Sequence, residues 1–199
     1  MIRAAAWIAL GAPAAWGYQE SPESVAVKGS QARFPSRTTL ARGKESVPLR
    51  LTGAALRTRL GFGVYAVGSY VQEGTALKEP SDIIRADCAK VLELAFERNV
   101  AGSTMYENLA ANLRANHPAP EFQEELARLS KFLQAHPATK GSVLRLAYDP
   151  GAGLSLTAGD GSVLAYNGPE FARALWGIYF GPRPMDPAIR AALTERIVR

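Results

Sequence analysis

Cysteine and histidine are nearly absent from this chain. The single cysteine, Cys88, has no partner for an intrachain disulfide, and its sequence context offers no catalytic role. The two histidines, His117 and His136, each precede a proline at the predicted end of a helix, where a loop-facing imidazole is expected. No spacing of Cys, His and Asp resembles a metal site. The sequence therefore predicts neither a metal nor another cofactor, and it predicts that Cys88 packs in the core.

The chain also lacks a strong charge of one sign and an apolar run long enough to cross a bilayer. The formal net charge is +5, and the basic residues are scattered. Their densest group, Arg33, Arg37 and Arg42, lies in a loop-like segment, without the basic helix or aromatic platform of a nucleic-acid interface. The apolar run at 4–15 is too short to span a membrane. These absences argue against nucleic-acid binding and against a stable membrane span.

The N-terminal segment has the features of an export signal. Arg3 gives it a positive start, residues 4–15 an apolar middle, and the Ala-Trp-Gly sequence ending at Gly17 the small residues of a cleavage site. An amphipathic helix is the alternative, but a run that contains Gly and Pro and no Glu or Lys fits it poorly. We therefore expect residues 1–17 to be a signal peptide cleaved near Gly17, and the mature protein to be periplasmic or secreted.

The remainder reads as a flexible leader at 18–32 and one domain at 33–199. Alternating apolar residues predict strands, and apolar residues at helical spacing predict helices. The predicted strands are 47–52, 55–60, 62–72, 91–96, 143–148, 154–157 and 163–166. The predicted helices are 82–86, 104–116, 120–135, 170–179 and a last one starting at 186–187. This order predicts the α+β class, with a large antiparallel sheet covered on one face by helices.

The strand-forming stretch at 56–71 carries most of the information about function. Arg57 and Arg59 stand at its start, and Tyr65 and Tyr70 follow. Because an unpaired buried charge is very costly, a cation in such a sheet either faces water at an edge or holds an anion in a pocket. The residues alone leave both interpretations open.

Three blocks of residues, in order along 33–195, carry a resemblance. They are GAALR at 53–57 with VYAVGSYV at 64–71, LELAFERNV at 92–100 before the helix of Tyr106, and the segment at 167–187. The chain resembles the chalcone isomerase-like proteins, in their exported bacterial branch. The resemblance implies an open-faced β-sandwich, the chalcone isomerase fold, with a ligand cleft between sheet and helices. It also implies either ring closure of a chalcone, or binding and assistance without turnover.

The resemblance assigns ligand-binding roles to four residues. Arg57 matches an anion-holding arginine, Tyr65 takes the place of a catalytic threonine, Tyr106 matches a helical tyrosine, and Asn112 lies one residue from a companion asparagine. Such an arginine holds a phenolate in ring closure and a carboxylate in fatty-acid binding. Two alternatives stay open here: Arg57 as a solvent-facing cation like Arg59, and Tyr65 as a core residue.

A tyrosine at position 65 favours carboxylate binding over ring closure, because a phenol fills space that the substrate ring needs. The expected function is therefore non-catalytic binding of a fatty acid or similar amphipathic carboxylate in the cleft. The alternative is an isomerase of the intramolecular lyase type, acting on a chalcone-like or other unsaturated phenolic, with Arg57, Tyr65 and Tyr106 as catalytic residues. A third hypothesis is an accessory protein that docks on a protein partner.

Overall fold

The computed structural model, which describes residues 23–197, is built around a seven-stranded antiparallel sheet and a separate two-stranded sheet. The short sheet consists of β1 (Ser24–Ala26) and β2 (Arg33–Pro35). The large sheet consists of β3 (Arg37–Arg42), β4 (Glu45–Arg59), β5 (Phe62–Gln72), β6 (Lys90–Phe96), β7 (Val143–Asp149), β8 (Gly153–Thr157) and β9 (Val163–Tyr166). The helices are α1 (Pro80–Arg85), α2 (Gly102–Asn116), α3 (Gln123–Ala135), α4 (Glu170–Phe180) and α5 (Pro187–Leu193). The order of the large sheet, β3 to β9, follows the sequence.

The five helices pack on one face of the large sheet, which we call the helix face. Strand residues such as Val67, Leu92 and Leu146 share one buried cluster with helix residues such as Leu129 and Trp176. Cys88 packs at the margin of this cluster, as expected. Because alternate strand residues point to opposite faces, each strand contributes one set of apolar residues to this core. The predicted α+β class with a helix-covered antiparallel sheet is confirmed.

The opposite face of the large sheet is partly covered by the β1–β2 hairpin, and we call it the hairpin-covered face. Val27 and Phe34 are buried there in a second apolar cluster, together with Ala66 and Tyr70 of β5. The Phe34 ring lies so close to Gly68 that a Cβ at that glycine would be 2.5 Å from it. A glycine is therefore required where the hairpin meets the sheet.

The structure tests only part of what the sequence predicts for the N-terminal segment. The predicted signal peptide at 1–17 lies outside the described residues. The leader predicted at 18–32 differs from the structure in its second half, because β1 pairs with β2 and buries apolar side chains against the sheet. The segment of Arg33, Arg37 and Arg42, which reads as a loop, forms β2 and β3.

Several element boundaries also differ from the sequence-based expectation. β4 is one strand of 15 residues, where separate strands at 47–52 and 55–60 were expected. The bend or bulge that Gly53 indicates in the sequence is present, because the register shifts between Leu51 and Gly53. α2 begins at Gly102, two residues before the predicted cap. Gly102 packs directly on the backbone of α3, since a Cβ there would be 1.9 Å from the Leu133 carbonyl oxygen. α3 begins at Gln123, three residues after the predicted start, because Phe122 has a left-handed conformation.

Candidate functional site

A β-bulge in β4 decides which way Arg57 points. Leu51 and Gly53 pair with adjacent residues of β5, so Thr52 is an extra residue in the strand. Since side chains alternate along a strand, one extra residue reverses the faces from that point onward. Leu51 therefore lies on the hairpin-covered face, and Arg57 lies on the helix face with its cross-strand partner Tyr65.

Arg57 faces an anion, and that anion belongs to the protein. Its Nη1 atom is 3.3 Å from Oδ2 of Asp186, and the two side chains are 28% and 33% exposed. Asp186 is also the N-cap of α5, where Oδ1 accepts a hydrogen bond of 2.9 Å from the Ala188 N–H. The cation is thus partly buried and paired, in contrast to Arg59, which is exposed.

Tyr65 lies beside Arg57 in a group of contacts between the sheet and the C-terminal helices. Its hydroxyl is 3.1 Å from the hydroxyl of Tyr179 and donates to Sδ of Met185 at 3.6 Å. Its ring makes an edge contact with Phe96, with a centroid distance of 5.7 Å. We call Arg57, Tyr65, Tyr179, Met185 and Asp186 the Arg57 cluster.

Both phenols of the Arg57 cluster are neutral at physiological pH. Burial raises the pKa of Tyr65, and the hydrogen bond to Tyr179 and the charge of Arg57 only partly oppose that rise. Burial raises the pKa of Tyr179 well above its ordinary value, and Tyr65 adds to the effect. A neutral phenol next to a guanidinium can donate a hydrogen bond to an anion that the guanidinium pairs with.

The segment that carries Met185 and Asp186 is fixed by hydrogen bonds on both sides. The side-chain amide of Asn116 donates to the Arg183 carbonyl at 2.9 Å and accepts from the Arg183 N–H at 3.1 Å. The Met185 N–H donates to the Ile178 carbonyl at 2.7 Å. These bonds connect the end of α2 and the last turn of α4 to the rim of the Arg57 cluster.

The two residues predicted on α2 are placed differently from Arg57 and Tyr65. Tyr106 is half-buried and packs against the helix-face core, and its hydroxyl forms no hydrogen bond with any residue from 23 to 197. Asn112 donates its side-chain amide to the Asn108 carbonyl at 2.6 Å, within the helix. The structure therefore brings Arg57 and Tyr65 together, whereas no hydrogen bond, ion pair or ring contact joins Tyr106 or Asn112 to them.

The side chains of the Arg57 cluster contact one another between sheet and helices. One cavity, of about 340 Å³, lies on the opposite side of β4, between the β1–β2 hairpin and Glu195 and Arg196. Another, of about 590 Å³, is an open depression at the start of α3. Neither is lined by Arg57, Tyr65 or Tyr106. A ligand at the Arg57 cluster would have to displace side chains that now touch one another.

Lys90 is a buried cation for which the sequence predicted no role. It is 1% exposed, and its ammonium donates to the carbonyls of Ile83, Ile84 and Ala86 at 2.9, 3.0 and 3.1 Å. These carbonyls end α1, so Lys90 caps the negative end of that helix. Burial lowers its pKa to about 8. The sequence signal was a lysine at the start of an apolar strand, next to a short helix without a Gly cap.

Two further features bear on function. Within residues 23–197, no three residues of the types His, Cys, Asp and Glu come close enough together to hold a metal ion. Over the same residues, no helix has the length and apolar character needed to cross a membrane.

Comparisons with known proteins agree with the fold. A family model described as chalcone isomerase-like matches residues 26–194. Among solved structures, a fatty-acid binding protein from Arabidopsis thaliana superposes with a TM-score of 0.65 at 20% identity, over 88% of this chain and 97% of that one. A search of curated proteins found no match. At this identity the structural likeness concerns the fold alone.

Proposed function

The chain belongs to the chalcone isomerase-like family, and on that basis we propose that it binds a fatty acid or similar amphipathic carboxylate, without catalysis, between sheet and helices. The observation that carries the proposal is the Arg57 cluster. It sets a guanidinium beside a neutral phenol on the helix face, next to the largest apolar core of the molecule. The Arabidopsis protein of the same fold is described as a fatty-acid binding protein, which supports this choice of ligand.

The proposed binding mode exchanges one carboxylate for another. Asp186 pairs with Arg57 within the chain, and we propose that the ligand carboxylate takes its place. Tyr65 then donates to the ligand instead of to the sulfur of Met185. The hydrocarbon chain enters the helix-face core by displacing Met185 and Tyr179, and Tyr106 lines its path on α2. We propose that this takes place after export, in the periplasm or outside the cell.

Binding of palmitate, measured by calorimetry in the absence of lipid vesicles, tests the role of Arg57. We expect Arg57→Ala to weaken binding about 10- to 100-fold, because a charge-assisted hydrogen bond is lost. We expect Asp186→Asn to tighten binding, because the competing carboxylate is removed while an asparagine still caps α5. Arg37→Ala is the matched control. Arg37 lies on the edge strand β3 and, like Arg57, pairs with a carboxylate, that of Glu73.

Three results would contradict the proposal. Palmitate binding to the natural chain could be undetectable, or Arg57→Ala could bind as tightly as the natural chain. Conversion of a chalcone well above its spontaneous rate, lost in the Arg57, Tyr65 and Tyr106 variants, would instead establish the isomerase.

A further inference from the structure

The tip of the β4–β5 hairpin exposes two large apolar side chains. Leu60 is 90% exposed and Phe62 is 69% exposed. Leu60 has a φ of 53°, in the left-handed region where Gly or Asn is the usual residue, and Gly61 follows with a φ of 80°. A leucine that is strained and touches almost nothing adds little to the stability of the fold. Its position points to a contact outside the chain.

The other large apolar side chains exposed within residues 23–197 lie at the same end of the sheet. Val143 begins β7 and Val163 begins β9, and they are 36% and 61% exposed. The antiparallel register places the first residues of β5, β7 and β9 together with the last residues of β4, β6 and β8. We call this edge, with its connecting turns, the hairpin end of the sheet.

The hairpin end is also rich in exposed cations. Four of them lie on its turns and strand ends: Lys28, Arg59, Arg98 and Lys140. The turn of Lys28 reaches this end because Ser30 Oγ donates to the Glu97 carboxylate just after β6. The other carboxylate on these turns, Asp160, is paired with His136 at 2.7 Å. The cations therefore outnumber the carboxylates, and both carboxylates already have partners in the protein.

We propose that the hairpin end docks on the surface of an anionic lipid bilayer. Leu60 and Phe62 enter the boundary between headgroups and acyl chains, while Arg59, Arg98 and Lys140 pair with lipid phosphates. An apolar tip surrounded by cations matches such a surface, where apolar burial and attraction to anionic lipid act together. Lysine is depleted in protein–protein interfaces, so an apolar end whose turns carry Lys28 and Lys140 favours a bilayer over a protein partner.

This surface lies next to the Arg57 cluster, because Arg57 and Tyr65 are only a few residues from the tip on the same two strands. Docking would therefore bring the proposed carboxylate site to the membrane, where fatty acids are found. The docking proposal does not depend on the proposed function, since ligand-free protein is expected to bind vesicles. Failure of vesicle binding and failure of palmitate binding are separate results.

Sedimentation with vesicles tests the proposal. We expect the chain to bind vesicles of phosphatidylcholine mixed with phosphatidylglycerol, to bind pure phosphatidylcholine much less, and to be released by high salt. Leu60→Ser with Phe62→Ser should weaken binding tenfold or more. Arg59→Gln and Arg98→Gln should each weaken it roughly fivefold. Lys44→Gln, at the opposite end of β4, is the matched control and should have no effect.

A local probe separates docking of the tip from any binding by residues 1–22, which are the same in every variant. An environment-sensitive dye is attached at Leu60→Cys in a Cys88→Ala background, and at Lys44→Cys as the control. We expect the dye at position 60 alone to move into an apolar environment when anionic vesicles are added. No change at position 60, or equal binding to both vesicle types, would overturn the proposal. Self-association through the tip, without a response to lipid, would assign this surface to a second copy.

Discussion

Lys90 is a buried residue whose charge state couples the stability of the fold to pH. Its ammonium is surrounded by three carbonyls of α1, and it lies over the rings of Tyr148 and Trp176, 5.2 and 5.7 Å from their centroids. Those contacts favour the charged form, but burial outweighs them and lowers the pKa to about 8. An unfolded lysine keeps its ordinary value of 10.5. Folding is therefore coupled to proton release in mildly alkaline solution.

The free energy of unfolding should rise between pH 8 and pH 10 because of Lys90. In this range the folded lysine has lost its proton while the unfolded lysine still holds it, so raising the pH favours the folded state. The gain is about 2 kcal/mol. Above pH 10 the buried tyrosines, whose pKa values are raised by burial, act in the opposite direction. Urea unfolding at a series of pH values measures the gain, and Lys90→Met should remove it. Equal slopes in the two proteins would refute it.

At the scale of single elements, the bulge at Thr52 is stabilised by a buried pair of hydroxyls. Thr52 Oγ1 donates to the Ser69 carbonyl oxygen at 3.1 Å and lies 2.8 Å from Ser69 Oγ. The Arg196 N–H donates to the Thr52 carbonyl at 2.9 Å, so the C-terminal segment holds the bulge as well. Both side chains are fully buried, and an unpaired hydroxyl there would be costly.

Thr52→Val should lower the free energy of unfolding by about 1–3 kcal/mol, because it leaves the Ser69 hydroxyl buried without its partner. Adding Ser69→Ala should recover part of that loss, since the second polar group is then also removed. The double variant is therefore expected to be more stable than the sum of the single effects predicts, by about 1 kcal/mol. Urea unfolding of the four proteins measures this coupling. Additive effects would show that the hydroxyl pair does not hold the bulge.

The same bulge shows why the sequence predicts the strand but not the site. Val47, Leu49 and Leu51 alternate as a half-buried strand should, and that part of the pattern was predicted. Whether Arg57 lies on the same face depends on one extra residue, and alternation alone does not reveal where a strand is bulged. The partner of Arg57, Asp186, is 129 residues away, so its sequence context indicated only the start of a helix.

At the scale of the whole molecule, the two faces of the sheet have different roles. The hairpin-covered face is closed by a small apolar cluster under β1 and β2, and the helix face holds the larger core and the Arg57 cluster. The α+β class and the helix layer were predictable because they follow from the periodicity of apolar residues. The covering hairpin was not, because Ser24–Ala26, at three residues, is too short to show a strand pattern.

At the Arg57 cluster, the proposed ligand site, stability and affinity should oppose each other, because the side chains there contact one another. Met185 fills part of the helix face beside Tyr65, so Met185→Ala should lower the ligand-free free energy of unfolding by about 1–2 kcal/mol and the Tm by several degrees. The same change removes side-chain contacts that palmitate must displace. Because the binding-competent state becomes more populated, affinity should rise up to about tenfold.

Leu56→Ala provides the matched control, since Leu56 packs on the hairpin-covered face of the same strand as Arg57. It should reduce the Tm without changing the affinity for palmitate. Thermal unfolding and calorimetry on the three proteins compare both quantities. If Met185→Ala lowered the affinity together with the Tm, Met185 would be a ligand contact, and the ligand-free site would not have to open before binding. If it raised the affinity as expected, the contacts that close the site in the absence of ligand would be the ones that limit its affinity.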